Sequence, residues 1–325
     1  MSINNKVIIG WGTGIRRSVS LSTETSMTDI QVKYIFKNKY LKPMNYIVNF
    51  FKTVLLLAKH QPKLVVVVVP PTLILYSVFL YKFLFNHKCK IVLDCHNGVL
   101  RSEWKHIPFV SYLFKKSDKV LSHNARVKED IDSAFGVVSY VLGDPLIVYN
   151  GNINNPSETS LYLNDKINVL VPVSYAKDEP INEIINAAAI LNKTHNFIMT
   201  GRYTKLFKEN SVFDGVSFTG FISEEVYVSL LRQCDVVLCL TTDDKIQMCA
   251  LIEAVSMNKN AVCSDNTVNN DIFSDYRPTF TRLDEESISA SVMSCISNSL
   301  NTAEKIDFNV KYTKKWKQDS KEVFS

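Results

Sequence analysis

Five consecutive valines, Val65 to Val69, run directly into two prolines, Pro70 and Pro71. Five β-branched residues in a row are stiff and disfavoured in a helix, and no polar residue alternates with them. Such a run suits a strand covered on both faces, which places it at the centre of a parallel sheet with helices on either side. The prolines end the strand, and Thr72 to Phe85 reads as a separate apolar helix. The segment from Leu64 to Phe85 is therefore expected to be a strand and a helix, not one membrane-spanning helix. Around it the first half alternates. Strands are expected at Lys6 to Gly10, Gln31 to Phe36, Lys90 to Asp94 and Lys119 to Ser122. Helical spacing is expected over Pro43 to His60, Phe109 to Lys116 and Ala125 to Ala134. Strands separated by helices predict β-α-β units.

A chain of 325 residues exceeds what one hydrophobic core supports, so two domains are expected. Hydrophobic residues make up 46% and charged residues 21%, which excludes a disordered chain. From Asn150 to Asp165 the composition shifts to Asn, Gly, Pro, Ser and Thr, the signature of a linker. After it the alternation restarts, with strands at Ile167 to Pro172, Phe197 to Thr200, Val216 to Phe218, Asp235 to Leu240 and Ala261 to Cys263. Helices are expected at Ile181 to Leu191, Glu224 to Arg232 and Met248 to Met257. The expected architecture is α/β: a first Rossmann-like domain over 1–155, a second over 156–305, and a basic, aromatic helix over 306–325 that can brace the first domain.

The seven cysteines include no C-x-x-C pair and mostly lie in apolar runs, which argues against a disulfide framework or a zinc site and for a reducing compartment. The amino-terminal MSINNKVIIGWG has no apolar stretch of signal length, so a cytoplasmic protein is expected. Net charge is +5, but residues 31–120 hold 15 basic against 3 acidic residues, a local +12 that leaves −7 elsewhere. Basic residues interleave with apolar ones between Tyr46 and Lys59. That pattern suits an anionic membrane surface better than a nucleic-acid groove, and no nucleic-acid partner is expected. A solvated basic face with a buried apolar side is the alternative.

Residues at the carboxyl ends of parallel strands face the ligand crevice. Gly12, Thr13 and Gly14 follow the first strand and form a candidate acceptor or phosphate loop. A dinucleotide fingerprint wants a third glycine at position 15, which is isoleucine. His96 follows the Lys90 to Asp94 strand beside Asp94, and His123 follows the next strand. Either can move a proton or donate to a sugar oxygen. In the second half, Ser174, Arg202, Thr242, Lys245 and Glu253 gather at strand ends. Hydroxyls, cations and a carboxylate of this kind suit a nucleoside diphosphate sugar, with the cations and a helix start at 248–250 facing the diphosphate. No D-x-D pair ends a strand, and no metal ligand or cofactor is assigned.

In order along the chain stand Pro70-Pro71-Thr72, Asp94-Cys95-His96-Asn97, Trp104 to Pro108 (W-x-x-I-P), His123-Asn124, Val171 to Pro180 and Glu253-Ala254-Val255. Over roughly residues 5–275 this set resembles the group-one bacterial glycosyltransferases of the GT-B fold, which assemble capsule, O-antigen and exopolysaccharide. The resemblance implies two facing Rossmann-like domains, with acceptor on the first and nucleotide-sugar donor on the second. It further implies a lipid-linked saccharide acceptor, peripheral attachment to the inner face of the cytoplasmic membrane, and catalysis without a bound metal. His96 matches the family's first-domain histidine against the donor sugar. Glu253 matches the second glutamate of its E-x7-E motif, associated with donor ribose. Lys245 stands where the first glutamate is usual. Ser174 and Glu179 stand where an arginine and a lysine usually clamp the diphosphate, a role that Arg202, Lys205 or Lys245 could take over. The alternative is a non-catalytic protein of the same fold that binds a sugar or a partner enzyme.

Overall fold

The computed structural model describes residues 5–36, 38–149 and 157–325; the expected linker falls partly outside them, at 150–156. The chain divides into two compact units. Unit 1 is the chain through Pro145 together with Thr313–Ser325, and unit 2 is Leu146–Tyr312. The partition thus falls at 145/146 and 312/313, where the sequence placed it at 155/156 and 305/306.

Unit 1 contains strands β1 (Lys6–Trp11), β2 (Thr28–Val32), β3 (Leu64–Val69), β4 (Lys90–Cys95), β5 (Lys119–Ser122) and β6 (Tyr140–Val141). They form one parallel sheet in the order β2-β1-β3-β4-β5-β6. Its helices are α1 (Arg16–Thr25), α2 (Lys42–His60), α3 (Ile74–Leu84), α4 (Ser102–Lys105), α5 (Val110–Lys116) and α6 (Ala125–Phe135). The valine strand β3 is buried along its whole length, between β1 and β4. One face of the sheet, carrying Val7, Ile9, Val65, Val67, Ile91 and Leu93, packs with Leu57, Leu75, Val78, Tyr81 and Phe114.

The second strand lies earlier than the spacing predicts, at Thr28–Val32 rather than 31–36. It pairs with β1 from Val7↔Thr28 to Trp11↔Val32. Beyond it the buried Asn45 takes the chain out of the sheet: its Oδ1 accepts from the amides of Ile35 and Phe36, and its Nδ2 donates to the Phe36 carbonyl. Asn45 opens an unusual face of α2. Asn45, Asn49 and Thr53 point inward, Asn49 donating to the Val32 carbonyl and Thr53 accepting from the Trp11 indole at 2.9 Å. Met44, Ile47, Phe51 and Leu55 are exposed.

Unit 2 contains β7 (Ile167–Val171), β8 (His195–Thr200), β9 (Val216–Gly220), β10 (Val236–Cys239), β11 (Asn260–Ser264) and β12 (Thr279–Thr281), with helices α7 (Ile181–Leu191), α8 (Glu224–Gln233), α9 (Cys249–Ser256), α10 (Thr267–Phe273) and α11 (Glu285–Asn298). Its parallel sheet runs β12-β11-β10-β7-β8-β9. Alternate residues feed two cores, as strand geometry requires. Val169, Val171, Phe197, Met199, Val236 and Leu238 pack on one side, and Leu170, Ile198, Val237, Cys239, Ala261 and Cys263 on the other. A last helix, α12 (Thr302–Phe324), carries Phe308 and Tyr312 into the second of these cores. From Thr313 onward it belongs to unit 1. There the Trp316 indole donates to the Gly143 carbonyl, and Lys6, Lys90 and Lys119 at the strand starts donate to carbonyls of residues 322–325.

The seven cysteines are free thiols, six of them buried. Among the described residues no helix is long and apolar enough to cross a membrane.

Candidate active site

Strand order reverses in unit 1 between β1 and β3, and ligands of open parallel sheets bind outside the carboxyl ends of strands near such a point. The groups gathered there come from four segments. Asp94 is the fifth residue of β4 and fully buried; His96 follows that strand, His123 follows β5, and Asp144 follows β6. Arg17, on the first turn of α1, joins them. Its Nε donates to both Asp94 oxygens at 3.0 Å and its Nη2 to Oδ1 at 2.9 Å. Its Nη1 donates to Asp144 at 2.6 Å, and Nη2 also to the Leu142 carbonyl. This forked, charge-assisted set uses the planar geometry that only arginine offers.

Burial alone would push the Asp94 carboxyl up. The Arg17 guanidinium outweighs that, with smaller help from His123 and His96, and holds the group at about 2. Asp144 is likewise held low, again by Arg17 against burial. The histidines shift the other way. Burial, then the positive charge of Arg17 and the neighbouring His96, lowers His123 to about 3. Burial lowers His96, partly offset by Asp94. Both imidazoles are therefore neutral at pH 7. Their rings stand edge to face with centroids 4.3 Å apart. Each Nε2 faces Asp94, His96 at 4.0 Å and His123 at 3.9 Å. Among the described residues, neither buried Nε2 has a hydrogen-bond partner. A neutral imidazole so placed can accept or relay a proton. One donor atom each from Asp94, His96 and His123 lies within 4.8 Å of the other two, a spacing that admits a cation. Arg17 already holds both Asp94 oxygens and sets a positive charge against them, which opposes a second cation.

The loop of Gly12, Thr13 and Gly14 follows β1. Gly12 N–H donates to the Val32 carbonyl and Gly14 N–H to the Gln31 side chain, so two of its amides are tied to the neighbouring strand.

In unit 2 the order reverses between β7 and β10. Ser174 follows β7 and Thr242 follows β10. The two loops meet through Asp178, whose carbonyl accepts from the Thr242 amide at 2.7 Å and whose carboxylate accepts from the Thr241 hydroxyl. The Ser174 loop folds around Glu179. That carboxylate accepts from the Ser174 amide and hydroxyl and from the Ala176 amide, at 2.9–3.1 Å. Lys205 reaches the Ser174 carbonyl at 2.6 Å. Arg202 and Lys245 are exposed beyond the ends of β8 and β10. Gly201, between β8 and Arg202, has φ +86°, and a Cβ there would lie 2.2 Å from the Val173 carbonyl oxygen, so only glycine brings these two loops together. Glu253 departs from this edge group in its surroundings. It is 3% exposed on α9, and its carboxylate accepts from the Tyr227 hydroxyl, which burial and then Glu253 keep protonated.

Three residues escape sequence reasoning. Arg17 and Asp144 meet across 127 residues of sequence, and Arg17 reaches Asp94 across 77. The third is Gln247, just before α9, whose buried side-chain oxygen and nitrogen have no partner among the described residues. An unsatisfied buried amide is costly and suits a group that meets a ligand.

No protein-family model matches the chain, and no curated protein matches it in sequence. Solved structures do match in shape. A glycosyltransferase from Rickettsia africae ESF-5 is 12% identical, with 99% of this chain and 98% of that one covered at a TM-score of 0.66. Anabaena Alr3699/HepE in complex with UDP is 14% identical over 98% and 99%, at 0.65. The lipopolysaccharide outer core galactosyltransferase WaaB, in its apo form, is 12% identical over 97% and 98%, at 0.57. Identity this low carries architecture and not chemistry: the chain has the two-domain GT-B fold, two Rossmann-like parallel-sheet units in one polypeptide.

Proposed function

We propose that the protein is a glycosyltransferase that moves a sugar from a nucleoside diphosphate sugar to a saccharide acceptor. One observation carries the reading: in a GT-B chain, both units gather polar and ionisable side chains at the carboxyl edge of the parallel sheet. Unit 2 binds the donor, through Ser174, Arg202, Thr242 and Lys245, with Glu253 and Tyr227 beneath. A uridine nucleotide is the first donor class to try, since Alr3699/HepE was crystallised with UDP and with UDP-glucose. In unit 1 the neutral His96 takes the proton of the acceptor hydroxyl or holds the donor sugar by a hydrogen bond, with the His123 ring packed edge to face against it. The leaving diphosphate is stabilised by Arg202, Lys205 and Lys245 and by backbone amides, without a bound metal. The acceptor is lipid-linked, the product enters a cell-surface polysaccharide such as capsule or O-antigen, and the enzyme works on the inner face of the cytoplasmic membrane.

A second reading draws on Glu179. Its carboxylate fills the amide nest of the Ser174 loop, where an anionic ligand would otherwise sit. A protein locked in that state binds a sugar or a partner without catalysis. Both readings meet one experiment. The chain is incubated with UDP-, GDP- and CMP-sugars, and nucleotide release and binding are measured. Turnover that His96→Ala lowers about 10²–10⁴-fold, with nucleotide affinity nearly unchanged, supports the transferase. Binding without turnover across the panel supports the second reading, and no binding at all rejects the transferase and the sugar-binding form of the second reading.

A further inference from the structure

Helix α2 is apolar on two faces, one packed on the core and one exposed. A helix on a globular protein normally turns its apolar stripe to the core. Here the inward face carries Val54 and Leu57 together with Asn45, Asn49 and Thr53, the three polar ones hydrogen-bonded within unit 1. The outward face carries Met44, Ile47, Phe51 and Leu55, spaced three, four and four residues apart and so aligned in one stripe. Phe51 is 60% exposed and Leu55 68%. Tyr40, 78% exposed, lies just before the helix. Exposed Lys52 and Lys59 lie along one side of the stripe by helical spacing. Between Asp29 and Asp94 the chain has ten lysines and no acidic residue.

What covers this face must be apolar at its centre and anionic at its rim. A second copy fits poorly, because a two-fold interface sets each residue patch against itself and would oppose lysine to lysine with no carboxylate on the segment to pair them. We propose that the outer face of α2 docks on an anionic lipid bilayer. Met44, Ile47, Phe51 and Leu55 enter the boundary between headgroups and acyl chains, and Lys52 and Lys59 meet lipid phosphates. The purpose of such docking rests on the lipid-linked acceptor proposed above; its physical basis does not.

The test is flotation of the full chain with vesicles, either phosphatidylglycerol mixed with phosphatidylethanolamine or pure phosphatidylcholine, with light scattering to report the oligomeric state. The wild type is expected to float with the anionic vesicles and to release as salt rises. Phe51→Ser with Leu55→Ser should weaken partitioning about tenfold or more without lowering Tm, since both side chains are outside the core. Lys52→Glu with Lys59→Glu should weaken it on anionic vesicles and remove its salt dependence. Absence of wild-type binding, or equal binding of wild type and serine variant, overturns the proposal. So does a dimer that the serine variant converts to monomer with no change on vesicles, which would assign the face to a second copy. Donor turnover measured without vesicles tests the transferase separately, so failure of either is read independently of the other.

Discussion

Arg17 is buried with two carboxylates, and its loss leaves two negative charges where a satisfied network stood. Arg17→Met should therefore cost about 3–5 kcal/mol in urea unfolding, the range for stranding a buried charge. Arg17→Lys should recover part of this, because an ammonium keeps the charge but cannot reproduce the fork to Asp94 and Asp144. A stability loss below about 1 kcal/mol in the methionine variant would mean that the carboxylates find another partner. The histidines beside this network are legible from sequence because each follows a strand. Their dependence on Arg17 is not, since nothing local in Arg16-Arg17-Ser18 marks the second arginine as buried and the first as different.

At the scale of elements, α2 makes an opposite pair of expectations for its two faces. Thr53→Val removes the acceptor of the Trp11 indole and leaves a buried N–H unsatisfied, at about 1–3 kcal/mol. Phe51→Ser, though a far larger change in hydropathy, should shift stability by no more than about 0.5 kcal/mol. Comparative thermal unfolding decides it, and a larger loss for Phe51→Ser would show the outer face to be packed. Periodicity locates α2 but cannot orient it, because a 3.6-residue pattern says that two faces differ and not which is covered. The alternative left open between a membrane-facing and a buried apolar side turns on that missing fact. Strands fare better: β-branched runs such as Val65 to Val69 admit one environment. Helices α1 and α11 leave little signal, their Ser- and Thr-rich sequences RRSVSLSTET and EESISASVMSCISN lacking a clean apolar stripe. Glu253 illustrates the limit for sites. Its place on the helix after β10 is readable, whereas its burial against Tyr227 depends on where α8 packs.

For the whole molecule the ionisable groups of unit 1 act together on acid stability. His96 and His123 are lowered from 6.5, so the unfolded chain binds their protons first, and stability present above pH 6.5 is lost as pH falls toward about 3. Asp94 and Asp144 are lowered from 3.8, and their contribution is lost in turn below about pH 4. All four signs agree. The melting temperature should fall continuously on acidification from pH 7 to 4, and His123→Asn should flatten the upper part of that fall. Parallel pH profiles for wild type and variant would contradict the assignment.

The split composition of unit 1 has a consequence in time. Its first 145 residues leave the ribosome before unit 2, but the segment that fills its Trp316, Val323 and Phe324 positions is made 167 residues later. At about 5–20 residues per second, that is a wait of roughly 8–33 seconds. Through that interval the nascent sheet exposes the sites that α12 later occupies, with Lys6, Lys90 and Lys119 still lacking the carbonyls they finally bind. The unit begun first is thus the one finished last, and a stall in translation just past Tyr312 would leave it open to chaperones and proteases while its neighbour in the chain is already complete.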